Sequence, residues 1–173
     1  DNLSFVESTL AKILPKVEKP GRYLGQESNS VYKNLAAVDF RMCLVFPDVY
    51  ELGMSNTGLR LLYSLINGDE RSYAERAYCP WPDMRKEMLA HNLPLYSMET
   101  HTPLAEFDCI GYSLQTELAF TNIPYVLELA QLPVFSKDRG EGDPFVCAGG
   151  PVMANPEPIA DFFDFFVIGD GEA

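Results

Sequence analysis

Short apolar runs that alternate with helical segments restrict the fold of this chain more than any other feature. The runs are largely apolar throughout, as expected for strands that have both faces covered, and Tyr73–Cys79 is the weaker strand among them. The segments between the runs carry the spacing or the starting residues of helices. Together they predict βαβ units and a mostly parallel sheet, with strands at Arg41–Phe46, Tyr73–Cys79, Leu95–Met98, Cys109–Leu114, Phe145–Ala148 and Phe165–Ile168.

The segments between the strands predict three helices, which the sequence marks with different clarity. Asn56–Asn67 predicts a helix that has Leu59, Leu62, Tyr63 and Ile66 on one face. Asp83 is expected to cap a second helix that runs to about His91. The third segment, Glu117–Leu132, contains Pro124, which must either kink the helix or mark its true start.

The first 34 residues differ from the rest of the chain. Ser4 and Glu7 have the spacing of a capping box at the start of an amphipathic stretch, which predicts a helix over residues 3–14 that ends at Pro15. A polar stretch follows. We therefore divide the chain into an N-terminal helix and linker extension (residues 1–34) and an α/β domain (residues 35–173).

Charge disfavours one class of partner. The chain has 13 Lys and Arg against 25 Asp and Glu, a net charge of −12 at pH 7. Phosphate contacts need clustered cationic side chains, so we expect no direct binding of nucleic acid. No apolar run reaches the length of about 18 residues that a membrane helix needs, so we expect no membrane partner.

The distribution of cysteine and histidine disfavours a metal site. Four cysteines stand far apart with no C-x-x-C pair, and there are only two histidines. We predict no metal ligands and no catalytic residues in this chain. The simplest interpretation is four small buried side chains in a reducing compartment, which predicts a cytoplasmic protein. The cysteines are Cys43, Cys79, Cys109 and Cys147.

Glycine-rich or polar loops follow several of the predicted strands. Taken singly, each has an ordinary explanation, such as a turn at Gly149-Gly150-Pro151. In open parallel sheets, however, ligands bind beyond the carboxyl ends of the strands. The loops together predict a cleft for a ligand or substrate, with at least one of Gly149 and Gly150 at positive φ. They are Asp48–Gly53, Ser113–Gln115, Gly149–Gly150 and Gly169–Glu172.

Common nucleotide and hydrolase motifs do not explain these loops. The chain has no G-x-x-x-x-G-K-[ST] sequence and no G-x-G-x-x-G that opens a helix after a strand. Ser113 lacks the G-x-S-x-G frame of a hydrolase nucleophile.

Three motifs carry a family resemblance. They read D-C-I-G-Y-S-L (Asp108–Leu114), A-G-G-P (Ala148–Pro151) and V-I-G-D-G-E (Val167–Glu172). This series resembles the cobalamin-binding-like domain that precedes the barrel of many radical S-adenosylmethionine (SAM) proteins. The phrases P-G-R-Y, F-P-D-V-Y-E-L-G-M-S and P-W-P-D-M narrow the resemblance to an uncharacterised bacterial subfamily. It covers most of the chain, from about Pro20 to Glu172.

The resemblance implies a Rossmann-like sheet of about five parallel strands flanked by helices. It also implies that the lower face of cobalamin lies on the loop after the first strand and that the nucleotide tail lies near the S-x-L and Gly-Gly loops. The residues that correspond to cofactor contacts are Asp48, Tyr50, Gly53, Ser113, Leu114, Gly149, Gly150, Gly169, Gly171 and Glu172.

One departure concerns the cobalt ligand. The ligating loop of the family reads D-x-H-x-x-G, and the histidine position holds Tyr50 here. A neutral phenol is a poor substitute for imidazole as a cobalt ligand. Two interpretations remain open: cobalamin binds without a protein nitrogen ligand, or the fold is kept and the cofactor is lost. The tyrosine favours the second.

A larger departure concerns the barrel. Its C-x-x-x-C-x-x-C motif, which holds a 4Fe–4S cluster, does not occur in these residues. The resemblance implies that the motif follows the G-D-G-E segment, so we expect these residues to be the N-terminal part of a longer enzyme that cleaves SAM at its cluster. This domain would dock on the barrel of its own chain and help to enclose an unknown substrate or cobalamin. The alternatives are a stand-alone module that binds a small ligand or nucleotide, and a protein-interaction domain without catalysis.

Overall fold

A five-stranded, all-parallel sheet forms the centre of the computed structural model, which describes residues 2–171. The strand order is β2-β1-β3-β4-β5. This architecture confirms the predicted α/β, Rossmann-like fold class. The strands are β1 (Phe40–Phe46), β2 (Ser72–Tyr78), β3 (Cys109–Ser113), β4 (Phe145–Gly149) and β5 (Phe165–Val167). The helices are α1 (Asn2–Ile13), α2 (Tyr50–Ser55), α3 (Thr57–Gly68), α4 (Pro82–Ala90) and α5 (Asn122–Leu129).

Helix α3 shows how local sequence sets the boundaries of an element. The side chain of Asn56 accepts a hydrogen bond of 2.8 Å from the backbone N–H of Leu59, which caps the first turn. Leu59 and Tyr63 then face the sheet and are buried. At the far end, both backbone groups of Ala74 on β2 are bonded by the side chain of Asn67. Helix α3 therefore packs over β1 and β2.

Three predicted elements differ from the structure. Leu95–Met98 is not a strand, because the backbone N–H groups of Leu95, Ser97 and Met98 bond to carbonyls of three separate segments and form no continuous ladder. Asp83 is not the N-cap, which is Trp81, although its carboxylate accepts a 2.8 Å bond from the backbone N–H of Met84 in the first turn of α4 and a 2.9 Å bond from the backbone N–H of Glu18.

The predicted helix Glu117–Leu132 is divided. A 3₁₀ turn at Glu117–Ala119 precedes α5, which begins at Asn122. Pro124 lies in the first turn of α5. Backbone N–H groups in the first turn have no intrahelical acceptor, so the missing N–H of proline costs the helix no hydrogen bond. Pro124 thus marks the true start of the helix. The structure also adds α2, which is too short to show a helical period in the sequence.

The two faces of the sheet are covered differently. The larger core lies on one face, beneath α1, α4 and α5, and includes Val45, Ile110 and Val146 from the strands. The N-terminal segment belongs to this same core through Val6, Leu10, Ile13, Val17 and Tyr23. The smaller core lies on the other face, where α3 packs on Leu44, Phe46, Ala74 and Tyr78.

Strand β2 forms one edge of the sheet and carries two buried charges, Glu75 and Arg76, whose exposed fractions are 0% and 1%. Arg76 pairs with Glu99 at 2.7 Å, and Glu75 pairs with Arg41 at 2.7 Å. The backbone N–H of Met98 also donates to the carbonyl of Arg76. The segment after α4 therefore lies along the edge strand and covers backbone groups that could pair with another chain.

The turn after β4 requires glycine. Gly150 has a φ of +115°, which confirms the predicted positive φ. A Cβ at this position would also lie 2.3 Å from the carbonyl oxygen of Leu114. The conformation and the close approach both exclude a larger residue.

We expect Gly150→Ala to lower the free energy of unfolding by at least about 1–2 kcal/mol, because the strained backbone alone costs that much. Urea denaturation followed by circular dichroism measures the change. Gly140→Ala is the matched control, since Gly140 lacks positive φ and a Cβ there would meet no atom within 4 Å. Its effect should stay within about 0.5 kcal/mol. Equal losses in the two variants would contradict this account of the turn.

We expect Glu99→Ala to lower the free energy of unfolding by about 3–5 kcal/mol, because it leaves the guanidinium of Arg76 buried and unpaired. The comparison variant, Asp39→Ala, breaks the ion pair between Asp39 and Arg71, whose side chains are 56% and 77% exposed, respectively. It should lower the free energy of unfolding by less than about 1 kcal/mol. Both variants are compared by guanidinium denaturation. A loss at Glu99 no larger than that at Asp39 would show that the buried pair contributes little.

Candidate functional site

The carboxyl edge of the sheet gathers the loops that follow its strands. Because all five strands are parallel, these loops leave from the same edge. The strand order reverses at β1, which has β2 on one side and β3 on the other. At such a switch point the neighbouring connections run in opposite directions and leave a crevice between them.

A cleft of about 630 Å³ opens at this switch point. Its walls come from the loop after β1, one side of α2, the start of α3 and the loop after β3. Hydroxyl and amide groups dominate the polar part, and the carboxylate of Asp48 is the one charged group in the lining of the described residues. Such a lining can hydrogen-bond a neutral polar group. The polar side chains are those of Asp48, Ser55, Asn56, Thr57, Ser113, Gln115 and Thr116.

Two of the predicted site residues lie in this cleft. Asp48 follows β1, and its carboxylate accepts a 2.7 Å bond from the backbone of Val49. Ser113 ends β3, and its hydroxyl accepts a 3.1 Å bond from the side chain of Gln115. The two residues reach the cleft from neighbouring strands. Leu114 does not line it, because its side chain is buried in the larger core.

Tyr50 and Gly53 lie beside the cleft on α2 and do not line it. Gly53 is buried, and a Cβ there would lie 2.2 Å from the ring of Tyr78, so glycine allows α2 to pack directly on β2. The Tyr50 ring meets the Tyr78 ring edge-on, with centroids 5.6 Å apart. The Tyr50 hydroxyl donates a hydrogen bond to the carboxylate of Glu27.

The surroundings of Tyr50 keep its hydroxyl protonated. Burial is the main cause that raises its pKa to about 12, and the hydrogen bond to the Glu27 carboxylate acts in the same direction. A phenol held in this way offers no phenolate to a metal at neutral pH.

The N-terminal segment holds α2 from outside. Arg22 pairs with Glu51 at 2.8 Å and stacks over the Trp81 ring at 4.8 Å, while Glu27 binds Tyr50. The sequence analysis did not assign Arg22, Glu27 or Trp81 to the site. The available signal was their place in phrases that carry the family resemblance, since Arg22 lies in P-G-R-Y and Trp81 in P-W-P-D-M.

The predicted glycine loops share the edge but stay outside the lining of the cleft. Gly149 is half-buried, and Gly150 is exposed. Gly169 has a φ of +107° and opens the segment after β5. A Cβ at Gly171 would lie 3.4 Å from Cδ2 of Leu62 on α3. Glu172, the last predicted site residue, lies outside the described residues.

The residues at this edge do not fit a nitrogen-ligated cobalamin. The position of the ligand is taken by the neutral, hydrogen-bonded Tyr50. His91 bonds the carbonyl of Glu87 on α4, and His101 bonds the carbonyl of Leu24 in the N-terminal segment. Over residues 2–171, no group of three or more His, Cys, Asp and Glu side chains could hold a metal ion. No helix in the same range has the length and apolar character needed to cross a bilayer.

Comparison with known proteins supplies the family. Residues 58–173 match the model of a family described as the N-terminal region of radical SAM proteins. An uncharacterised protein of Methanocaldococcus jannaschii is 33% identical over 84 residues, which are 47% of this chain and 17% of that relative. The matched part is thus a small share of the relative's length.

The family match covers α3, β2 to β5 and the loops after β3, β4 and β5, while the loop after β1 precedes it. It confirms the coarse part of the resemblance, and the cobalamin-binding part stays a prediction. The chain belongs to the family of radical SAM proteins, as their N-terminal domain.

Proposed function

We propose that this domain is an accessory part of a longer radical SAM enzyme and that its carboxyl edge docks on the barrel of the same chain and helps to enclose the substrate. The family match over residues 58–173 carries the proposal, because it covers most of the sheet and three of the edge loops. The cleft at the switch point supports the proposal further, since it presents hydroxyl and amide groups that could contact a substrate at that edge.

The cysteines support a cluster site elsewhere in the enzyme. Cys43 and Cys79 belong to the larger core, whereas Cys109 and Cys147 lie on the opposite face of the sheet with their sulfurs 3.8 Å apart. Burial raises the pKa of Cys79 to about 12. Because the four cysteines form two pairs on opposite faces of the sheet, three thiolates cannot meet at one point, as a 4Fe–4S cluster requires. When bound to the barrel, that cluster supplies the electron that cleaves SAM.

Cobalamin is not part of the proposal. The contacts of Tyr50 with Glu27 and Tyr78 use the one side chain that stands at the ligand position. We propose that the fold is kept for docking and that the cobalt ligand is lost. The stand-alone ligand-binding module remains the second candidate, because the cleft could take a small polar molecule.

The first test uses a protein that extends beyond Ala173. After anoxic reconstitution with iron and sulfide, we expect dithionite and SAM to yield 5′-deoxyadenosine, measured by chromatography. Residues 1–173 alone, treated identically, should yield none. A longer protein that binds no cluster and cleaves no SAM would contradict the proposal.

The docking role has a separate measurement. Hydrogen exchange in residues 47–53 and 113–117 should be at least about tenfold slower in the longer protein than in residues 1–173. Loops at the amino edge, residues 69–71 and 139–144, provide the internal control and should not change. Equal exchange at the carboxyl edge in both proteins would exclude docking there and favour the stand-alone module.

Cysteine reactivity tests the inert thiols. A thiol with a pKa of about 12 is ionised in about one molecule in ten thousand at pH 8. We therefore expect iodoacetamide to modify Cys79 at least about a hundredfold more slowly in the native protein than in guanidinium, measured by peptide mass mapping. Rapid labelling of Cys79 in the native protein would contradict the burial of this thiol.

A further inference from the structure

The cleft at the switch point holds a carboxylate that no cation of the described residues neutralises. The Oδ1 atom of Asp48 accepts the bond from the backbone of Val49, whereas its Oδ2 atom takes part in no hydrogen bond or ion pair within residues 2–171. Asp48 is half-buried in the wall of the cleft. A carboxylate in such a place attracts a cation more strongly than one in bulk water does, because the effective dielectric constant is lower.

The cations that reach α2 are already engaged. Arg22 and Lys19 both pair with Glu51, at 2.8 and 3.6 Å, where the N-terminal segment holds the helix. Among the described residues, the lining of the cleft contains no lysine, arginine or histidine. The positive charge that balances Asp48 therefore has to come from a molecule that enters the cleft.

Hydrogen bonds inside the lining occupy donors and leave acceptors. The Ser55 hydroxyl donates to the carbonyl of Leu52 at 3.0 Å, so its oxygen lone pairs remain for a ligand. The side-chain amide of Gln115 donates to Ser113, which leaves the Gln115 side-chain oxygen as an acceptor. Together with Oδ2 of Asp48, these oxygens suit a group that donates several hydrogen bonds at once, as an ammonium group does.

The other lining groups fit a hydroxyl-bearing carbon skeleton. The side-chain oxygen of Asn56 caps α3, which leaves its amide N–H groups as donors, and the Ser113 hydroxyl keeps its own proton to donate. Leu52 and Ala119 add apolar surface to the lining. The volume of about 630 Å³ lies within the range of small-molecule sites.

The charge of the whole chain acts in the same direction. Its net charge is −12 at pH 7. A field of this sign raises the local concentration of cations and repels anions. Phosphate and carboxylate groups are therefore disfavoured beside Asp48.

We propose that the cleft binds the ammonium group of a small hydroxyl-bearing amine, with Asp48 as the counter-charge and with Ser55 and Gln115 as further acceptors. The inference deepens the proposed function and rests on it in one respect, since it takes this amine to be the substrate of the full-length enzyme. A hydrogen bond between two charged groups is about twice as strong as a neutral one. Asp48 therefore selects an amine over an alcohol of the same shape.

Three probes of one skeleton test the preference for charge. They are 3-amino-1,2-propanediol, glycerol and glycerate, which differ only in carrying an ammonium, a hydroxyl or a carboxylate group at one end. Each is titrated at neutral pH into the protein that extends beyond Ala173, with ¹³C-labelled Leu and Ala methyl groups, so that Leu52 and Ala119 report by NMR from the cleft. An ionic strength of about 0.15 M screens charges that lie more than about 8 Å away.

We expect the dissociation constant of the aminodiol to be at least about fivefold lower than that of glycerol, because the hydrogen bond to Asp48 is charge-assisted. Glycerate should bind more weakly than either. Equal affinity for the aminodiol and glycerol, tighter binding of glycerate, or no shift of the Leu52 and Ala119 methyl signals with the aminodiol would each overturn the proposal.

A pair of variants assigns the preference to one side chain. Asp48→Asn keeps an oxygen for the backbone N–H of Val49 but removes the charge, and it should bring the two dissociation constants to within about twofold of each other. Glu51→Gln is the matched control, because it removes the same charge from α2 outside the lining and should leave the ratio unchanged. An equal loss of preference in both variants would show a general effect of negative charge and overturn the role of Asp48.

The titrations need no iron–sulfur cluster, so the two proposals can fail separately. A protein that binds no cluster and cleaves no SAM would refute the proposed function and leave the measured preference for the amine standing. A protein that cleaves SAM but does not distinguish the three probes would refute this inference alone.

Discussion

The buried guanidinium of Arg76 connects parts of the chain that are distant in sequence. It pairs with Glu99, bonds the side chains of Asn29 and Ser30 at 3.4 and 3.1 Å, and stacks over the Tyr63 ring at 4.2 Å. A buried charge is tolerated only when its donors are satisfied, so each partner is fixed by the same requirement. The edge strand, the N-terminal segment and α3 thereby take one arrangement.

That arrangement also determines the surroundings of Tyr50 beside the switch point. With Asn29 and Ser30 held on Arg76, the preceding residues lie across α2, where Glu27 meets Tyr50 and Arg22 meets Glu51. The side chain at the cobalt-ligand position is therefore engaged by its own N-terminal segment. The order of the N-terminal segment and the engagement of Tyr50 thus have one structural cause, and the polar cleft lies beside α2 without hydrogen bonds from the described part of that segment to its lining residues Asp48 and Ser113.

Sequence patterns predicted those elements whose signal is local. The apolar runs at β1, β3, β4 and β5 need no distant partner to be recognised, and Asn56 marks the start of α3 by its own side chain. In contrast, β2 was the weaker strand because it contains Glu75 and Arg76, whose partners at Arg41 and Glu99 cannot be seen in a single sequence. The same limit applies to the site. The parallel strands made it predictable that Asp48 and Ser113 share one edge of the sheet. The sequence could not show that the glycine loops border this edge without lining the cleft.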